Sequence, residues 1–203
     1  MARIVDRQEK KESLIRAAAS TFAKSGFSKT TISDIAAAAD VGKGTVYEYF
    51  ASKEELFFAV YRWVNEKVSR RIEKCIDPAI GAIEQIEILS DESAMVIREM
   101  RDQYSLNLDF WAASRGTSFE GLFKREIAKL YRGYRVLLAT VIRRGQESGE
   151  ISRDHDADQL AAAIVGAYDG LGIQYWIEDS LDLLGCARSL TAALIRGIVK
   201  TEP

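Results

Sequence analysis

Apolar residues recur at helical spacing along nearly the whole chain, and the breaks between the periodic runs mark out helices. Leu14, Ala18 and Phe22 stand four apart, with Ile15 and Ala19 beside them, which predicts a helix from Val5 to Lys24. Gly26 then serves as its stop signal. A second helix starts at Thr31, where Thr31 and Asp34 take the N-cap and N3 places of a capping box. Ile32, Ile35, Ala36 and Ala39 form its inner face. The tetrapeptide ADVG makes a short turn in which Val41 is an apolar plug. A third, short helix runs from Lys43 to Tyr49. Val46 and Phe50 lie four apart and face inward, leaving Lys43, Thr45, Tyr47 and Glu48 on the outer face. Ser52 to Glu55 reads S-x-x-E, a capping box that opens a long helix through about Lys74. After Pro78, further apolar periodicity predicts helices near 79–89, 92–114, 119–147, 157–177 and 183–200, with Gly116, Gly149 and Gly185 in the loops.

The chain carries only two prolines, Pro78 and Pro203, so few breakers interrupt this pattern. No alternating strand pattern and no internal repeat compete with it. The expected fold class is therefore all-α.

Composition narrows the class further. Apolar residues make up 47% and charged residues 29% of the 203 positions, the balance of a soluble globular protein. No apolar run approaches the roughly 20 residues needed to span a bilayer. The opening segment MARIVDRQEKKESL lacks the apolar core of a signal peptide, and the expected location is the cytoplasm. Net charge is −2, but it is unevenly spread. Residues 1–53 hold 9 Lys+Arg against 6 Asp+Glu, giving +3; residues 54–203 hold 19 against 24, giving −5. A basic N-terminal quarter on an acidic body points to an anionic partner at that end.

Candidate chemistry is sparse. Cys75 and Cys186 show no CxxC spacing and read as reduced core cysteines. His155, alone of its kind, sits in the acidic run DHDAD, which reads as a solvated helix start. No metal or cofactor is expected. There is no nucleophile elbow, phosphate-cradling loop, HExxH or ExxH cluster, so an enzyme in an all-helical fold is the disfavoured alternative.

Two short helices joined by a three- to four-residue turn and braced by a third form a helix-turn-helix. The outer face of the third helix is polar and aromatic, as a helix entering the major groove requires. Gly44 removes a side chain where backbone must come close. Thr45 and Tyr47 donate hydrogen bonds and touch thymine methyls, and Lys43 reaches guanine or phosphate. The helix starts at Thr31 and at Ser52–Lys53 present N–H groups suited to phosphates.

The segment TTISDIAAAADVGKGTVYEYFASKEELF resembles the DNA-binding segment of the TetR/AcrR family of transcriptional regulators. The resemblance is dense from about Leu14 to Phe57; the remainder is similar in layout alone. It implies that Thr31 touches phosphate, that Lys43, Gly44, Thr45 and Tyr47 face the groove, and that Tyr49 and Lys53 anchor phosphates. For Tyr49, packing against the first helix is an equal alternative. Gly42 departs from the family by standing where a serine cap is common. Glu48 departs by placing a carboxylate on the DNA side, where it either accepts from a cytosine amino group, points to solvent or pairs with a lysine.

A reader of this kind places two recognition helices about 34–36 Å apart, or a multiple of that, which demands a homodimer. Ala162, Gly166 and Gly170, with Leu190, Leu194 and Ile198, are the expected interface, forming four helices between two subunits. The resemblance also implies a small-molecule pocket in the middle helices. Trp63, Tyr104, Trp111, Tyr134, Tyr168 and Gln174 are its candidate lining, suited to an apolar or aromatic inducer. Arg101 and Arg115 bracket the Tyr104–Trp111 stretch and offer a site for an anionic head group.

The expected organisation is a helix-turn-helix DNA-binding domain over 1–52 and a helical ligand-binding and dimerisation domain over 53–203. The expected function is a ligand-responsive regulator, most simply a repressor, on a pseudo-palindromic operator. An activator, or a helical ligand-binding protein of the same architecture, is the alternative.

Overall fold

The computed structural model describes residues 2–101, 104–117 and 119–199, with the side chains of residues 2–6, 104–107 and 113 outside that description. Its helices are α1 (Ala2–Lys29), α2 (Ile32–Ala38), α3 (Lys43–Tyr49), α4 (Lys53–Glu73), α5 (Ala82–Glu99), α6 (Tyr104–Ser114), α7 (Glu120–Ser148), α8 (Ala157–Ile177) and α9 (Leu183–Ile198). Among the described residues the one strand-like pairing is an isolated antiparallel bridge between Ile151 and Val199. The all-α reading holds.

The helix ends follow local chemistry. Thr31 caps α2, and its hydroxyl and Asp34 close the expected capping box from both sides. At the start of α4, Ser52 Oγ accepts the Glu55 N–H at 3.1 Å, while Glu55 reaches back to the N–H of Ala51 at 2.7 Å. Asp156 caps α8 and Asp182 caps α9.

The first helix breaks at Gly26, as its stop signal implies, and a short second helical stretch follows it. Gly26 has φ 74° and ψ 166°, a left-handed kink that glycine adopts at little cost, and the chain re-enters helix to Lys29. The expected pair of helices at 79–89 and 92–114 is instead α5 and α6, divided after Glu99. Ser90 and Asp91 are the two positions left between the expected helices. They sit inside α5 because both residues have partners on other helices: Thr191 Oγ1 donates to Ser90 Oγ at 2.7 Å, and Arg188 pairs with Asp91 at 3.1 Å.

The chain forms two compact units, residues 1–67 with 102–125 and residues 68–101 with 126–203. They are drawn differently from the expected division at residue 52. The first unit keeps the start of α4, all of α6 and the start of α7. Its core explains why: Phe22, Phe27, Phe57, Phe110 and Phe123 form a run of ring contacts, Phe57 and Phe110 lying parallel with centroids 3.6 Å apart. Three helices within 52 residues have too little surface to enclose that much aromatic area.

The second unit packs α5, α7, α8, α9 and the end of α4 around Ile86, Ala139, Ile142, Ile151 and Ala161. Gly145 lets α7 approach closely: a Cβ there would meet Ile151 Cδ1 at 2.6 Å and Ala82 Cβ at 2.7 Å. The loop before α5 is pinned by the buried Gln85, which accepts the Asp77 N–H at 2.7 Å and donates to Cys75 O at 2.8 Å. Cys75 and Cys186 are both free and half-buried, and burial raises the Cys75 thiol above its ordinary pKa. Among the described residues no helix is long and apolar enough to cross a membrane.

Candidate nucleic-acid interface

The helix-turn-helix is built from contacts that are short in sequence. The capping box at Thr31 draws the hydroxyl and amide of Thr31 to Asp34 Oδ2 at 2.7 and 2.8 Å. Those donated bonds hold the Asp34 carboxyl below its ordinary pKa. Between α2 and α3 the chain turns through Asp40 at φ 52°, a left-handed value that Asp tolerates. Val41 N–H then donates to Ala36 O at 3.0 Å, closing the turn.

The third helix is amphipathic across its narrow width. Val46 is wholly buried and Phe50 nearly so, which fixes the rotation of α3 on the unit. Lys43, Gly44, Tyr47 and Glu48 are consequently exposed, and Thr45 and Tyr49 half-buried. Tyr47 is 49% exposed despite its large apolar ring. Its neighbour Lys43 holds its ammonium 6.0 Å from the ring centroid. Gly42 caps the helix with no side-chain bond, as its lack of a hydroxyl dictates. A Cβ on Gly44 would meet nothing within 4 Å, so packing within the chain does not call for glycine there.

Tyr49 is half-buried with the Arg7 guanidinium 5.8 Å from its ring centroid, a contact with the first helix. Lys11, one helical turn after Arg7, lies 5.6 Å over the Phe50 ring. Arg7 is a residue the sequence reading missed; its i, i+4 spacing from Lys11 on the first helix was the available signal. Lys53 is half-buried, and its ammonium donates to Phe27 O at 2.9 Å and Thr30 O at 3.1 Å.

The candidate lining of a small-molecule pocket falls in both units. In the first unit, Trp63 is covered by the Lys67 ammonium at 3.5 Å from its ring centroid, and Trp111 is 59% exposed with its edge against Phe123. The side chain of Tyr104 lies outside the described residues. The first unit does carry a half-open pocket of about 20 Å³ lined by Phe27, Phe57, Phe110 and Phe123 among others, room for a single water. In the second unit, Tyr134 is half-buried and hydrogen-bonded to Ser69, and burial raises its phenol above the ordinary pKa. Beside it, burial likewise raises the Asp169 carboxyl, which accepts a hydrogen bond from Tyr131. Tyr168 OH bonds Ser90 Oγ and lies 3.4 Å from Thr191 Oγ1, a polar knot joining α5, α8 and α9. Gln174 is exposed and donates to Gly170 O of its own helix at 3.3 Å. Arg101 is not open to an anionic head group: it donates to Tyr175 O and Trp176 O, both at 3.1 Å, and pairs with Asp179, closing the end of α8.

The expected interface row on α8 is open. Ala162 and Gly166 are exposed and Gly170 half-buried, and Cβ atoms added at Gly166 or Gly170 would meet nothing within 4 Å. Ile173 and Ile177 extend this face, Ile177 at 69% exposure. On α9, Leu190 and Leu194 are half-buried. Ile198 is 3% exposed and belongs to the unit's own core, which withdraws it from any partner. His155 is half-buried, with Nε2 3.3 Å from Gly197 O, just ahead of the α8 cap.

Residues 14–60 match the family described as bacterial regulatory proteins, tetR family, and residues 84–200 match the C-terminal domain of BetI-type transcriptional repressors. The HTH-type transcriptional regulator TtgR of Pseudomonas putida is 31% identical over 193 residues, covering 88% of this chain and 86% of that protein. A TetR transcription regulator from Haloarcula marismortui superposes with a TM-score of 0.84 at 19% identity, covering 95% of this chain and all of that one. The Bacillus subtilis regulator FadR, solved in complex with stearoyl-CoA, superposes with a TM-score of 0.73 at 24% identity, covering 92% of this chain and 98% of that one.

Proposed function

Because the chain belongs to the TetR family of bacterial transcriptional regulators, we propose that it is a homodimeric repressor that grips a pseudo-palindromic operator and is released by a small molecule. The observation that carries this reading is α3, whose wholly buried Val46 turns Lys43, Gly44, Tyr47 and Glu48 outward. A helix of that width fits the major groove, and its exposed donors meet base edges there. Thr31, at the start of α2, and Tyr49, braced by Arg7, flank the reading face as phosphate contacts.

The homodimer rests on the open row of Ala162, Gly166 and Gly170 with Ile173 and Ile177 beyond it. Small residues let a second copy of α8 approach closely, and the exposed isoleucines supply apolar area to bury. With Arg101 engaged at the end of α8, an apolar or aromatic inducer fits the second unit better than an anionic one. An inducer that binds the released arrangement better by about 1–3 kcal/mol weakens operator binding by roughly 5- to 150-fold.

The test is a mobility-shift titration on duplexes that the purified protein selects from a random pool. Binding falls steeply with salt, because each phosphate contact releases counterions. Tyr47→Ala relaxes base preference at the selected positions with little change on unrelated DNA. Salt-independent binding, or a chain that stays monomeric at the concentrations that bind DNA, defeats the reading.

A further inference from the structure

The joint between α1 and α2 is held by side chains that the helix-turn-helix itself does not contain. The left-handed kink at Gly26 takes the Phe27 N–H out of the helical ladder, and that N–H donates to Asp109 Oδ2 of α6 at 2.9 Å. Phe27 O and Thr30 O both accept from the Lys53 ammonium, which also lies 4.2 Å from the Phe27 ring centroid. Gly26 O accepts from Thr30 Oγ1 at 2.8 Å. Four backbone groups of the joint are thereby engaged, two of them by one lysine. The positive φ at Gly26 favours glycine, and a Cβ there would lie 3.2 Å from Asp109 Oδ2, tighter than an ordinary contact.

The same helix grips the joint a second time. Phe110, next to Asp109, stacks on Phe57, and Phe57 stacks on Phe27 at 4.6 Å. The residue after this joint is Thr31, the cap that sets where α2 begins. Any change in the joint's dihedrals therefore swings α2 and α3 together. A side chain that only neutralised a phosphate would leave its ammonium in solvent; Lys53 is half-buried and has given two of its three N–H donors to carbonyls.

We propose that Asp109 and Lys53 are positioning residues for DNA reading: they clamp the Gly26–Thr30 joint from α6 and α4, and Lys53 acts through backbone carbonyls instead of through a phosphate. The proposal rests on the reading of α3 as the groove helix.

The experiment uses the full chain, the duplex selected by the wild-type protein and an unrelated duplex of equal length. Anisotropy titrations run from 50 to 200 mM salt. Lys53→Met and Asp109→Ala each weaken the selected duplex at least tenfold, leave the unrelated duplex within about twofold, and keep the wild-type salt slope. Asp109→Asn restores most of the affinity, since its amide oxygen still accepts the Phe27 N–H. Without DNA, amide exchange at Phe27 quickens at least tenfold in Asp109→Ala while the thermal transition stays cooperative. Equal losses on both duplexes with a salt slope shallower by about 1.8 for the dimer, at roughly 0.9 per lost phosphate contact, make Lys53 a phosphate anchor and overturn the proposal. Wild-type affinity or unchanged Phe27 exchange in Asp109→Ala overturns it as well. A wild-type protein that selects no duplex sinks the regulator reading and this role with it; a wild-type protein that selects DNA beside unaltered variants sinks the clamp alone.

Discussion

Gly44→Ala separates what a residue does for the fold from what it does for DNA. Glycine inside a helix is destabilising relative to alanine by up to about 1 kcal/mol, and alanine also narrows the unfolded ensemble. An added Cβ at Gly44 meets nothing within 4 Å, so no clash offsets that gain. The substitution should raise stability by about 0.5–1 kcal/mol, which for a chain of this size raises Tm by roughly 1–4 °C. Operator binding should move the other way. Gly44 is exposed at the start of α3; on the proposed reading, a methyl there would hold the backbone off the groove in both subunits. A loss of at least tenfold, about 1.4 kcal/mol, is expected on the selected duplex. Circular dichroism melts and anisotropy on the same preparation measure both quantities. Binding within twofold of wild type would refute the claim that this bare position meets DNA. A Tm lowered by several degrees would refute the claim that the fold has no use for the glycine.

Gly145→Ala is the counterpart, because its Cβ would fall 2.6 Å from Ile151 and 2.7 Å from Ala82; chemical denaturation should show a loss of about 1–3 kcal/mol, with DNA selection retained below the melting range. Tyr168→Phe removes one hydroxyl from the knot with Ser90 and Thr191, which remain bonded to each other at 2.7 Å; a loss of about 1 kcal/mol is expected in the same assay. Asp169→Asn should stabilise the protein at neutral pH. Burial raises the Asp169 pKa in the folded state, so folding takes up a proton and stability falls as pH rises from the unfolded value, about 3.9, through the raised one. Melts from pH 4 to 7 should show the variant's advantage growing with pH, and a constant difference would contradict the assigned cause.

Much of the reading head was legible along the chain. The capping box at Thr31 and Asp34, the turn before α3 and the inward pair Val46 and Phe50 all involve residues three or four apart, where periodicity speaks directly. The bounds Lys43–Tyr49 and the outward placing of Lys43, Tyr47 and Glu48 followed from the same spacing, whereas Thr45, expected on the outer face, is half-buried against the unit. The break between α5 and α6 was expected at Ser90 and Asp91, but both are helical positions held by partners on α9, and spacing along α5 does not reveal those partners. The pocket candidates were chosen by residue type, and residue type leaves their neighbours open: Tyr168 ties together three helices, while Trp111 stands largely in solvent.

By itself the sequence determined the helical class, the helix-turn-helix and the face that α3 turns outward, since caps, turns and apolar stripes are set by near neighbours in the chain. Tertiary structure alone decided that α6 joins the head, that Lys53 is spent on the joint and that Ile198 is core. Those outcomes depend on partners far along the chain, Asp109 lying 82 residues from Phe27 and Lys53 26 residues from it. Such pairings are chosen by how whole helices pack, and spacing along one helix carries no trace of them.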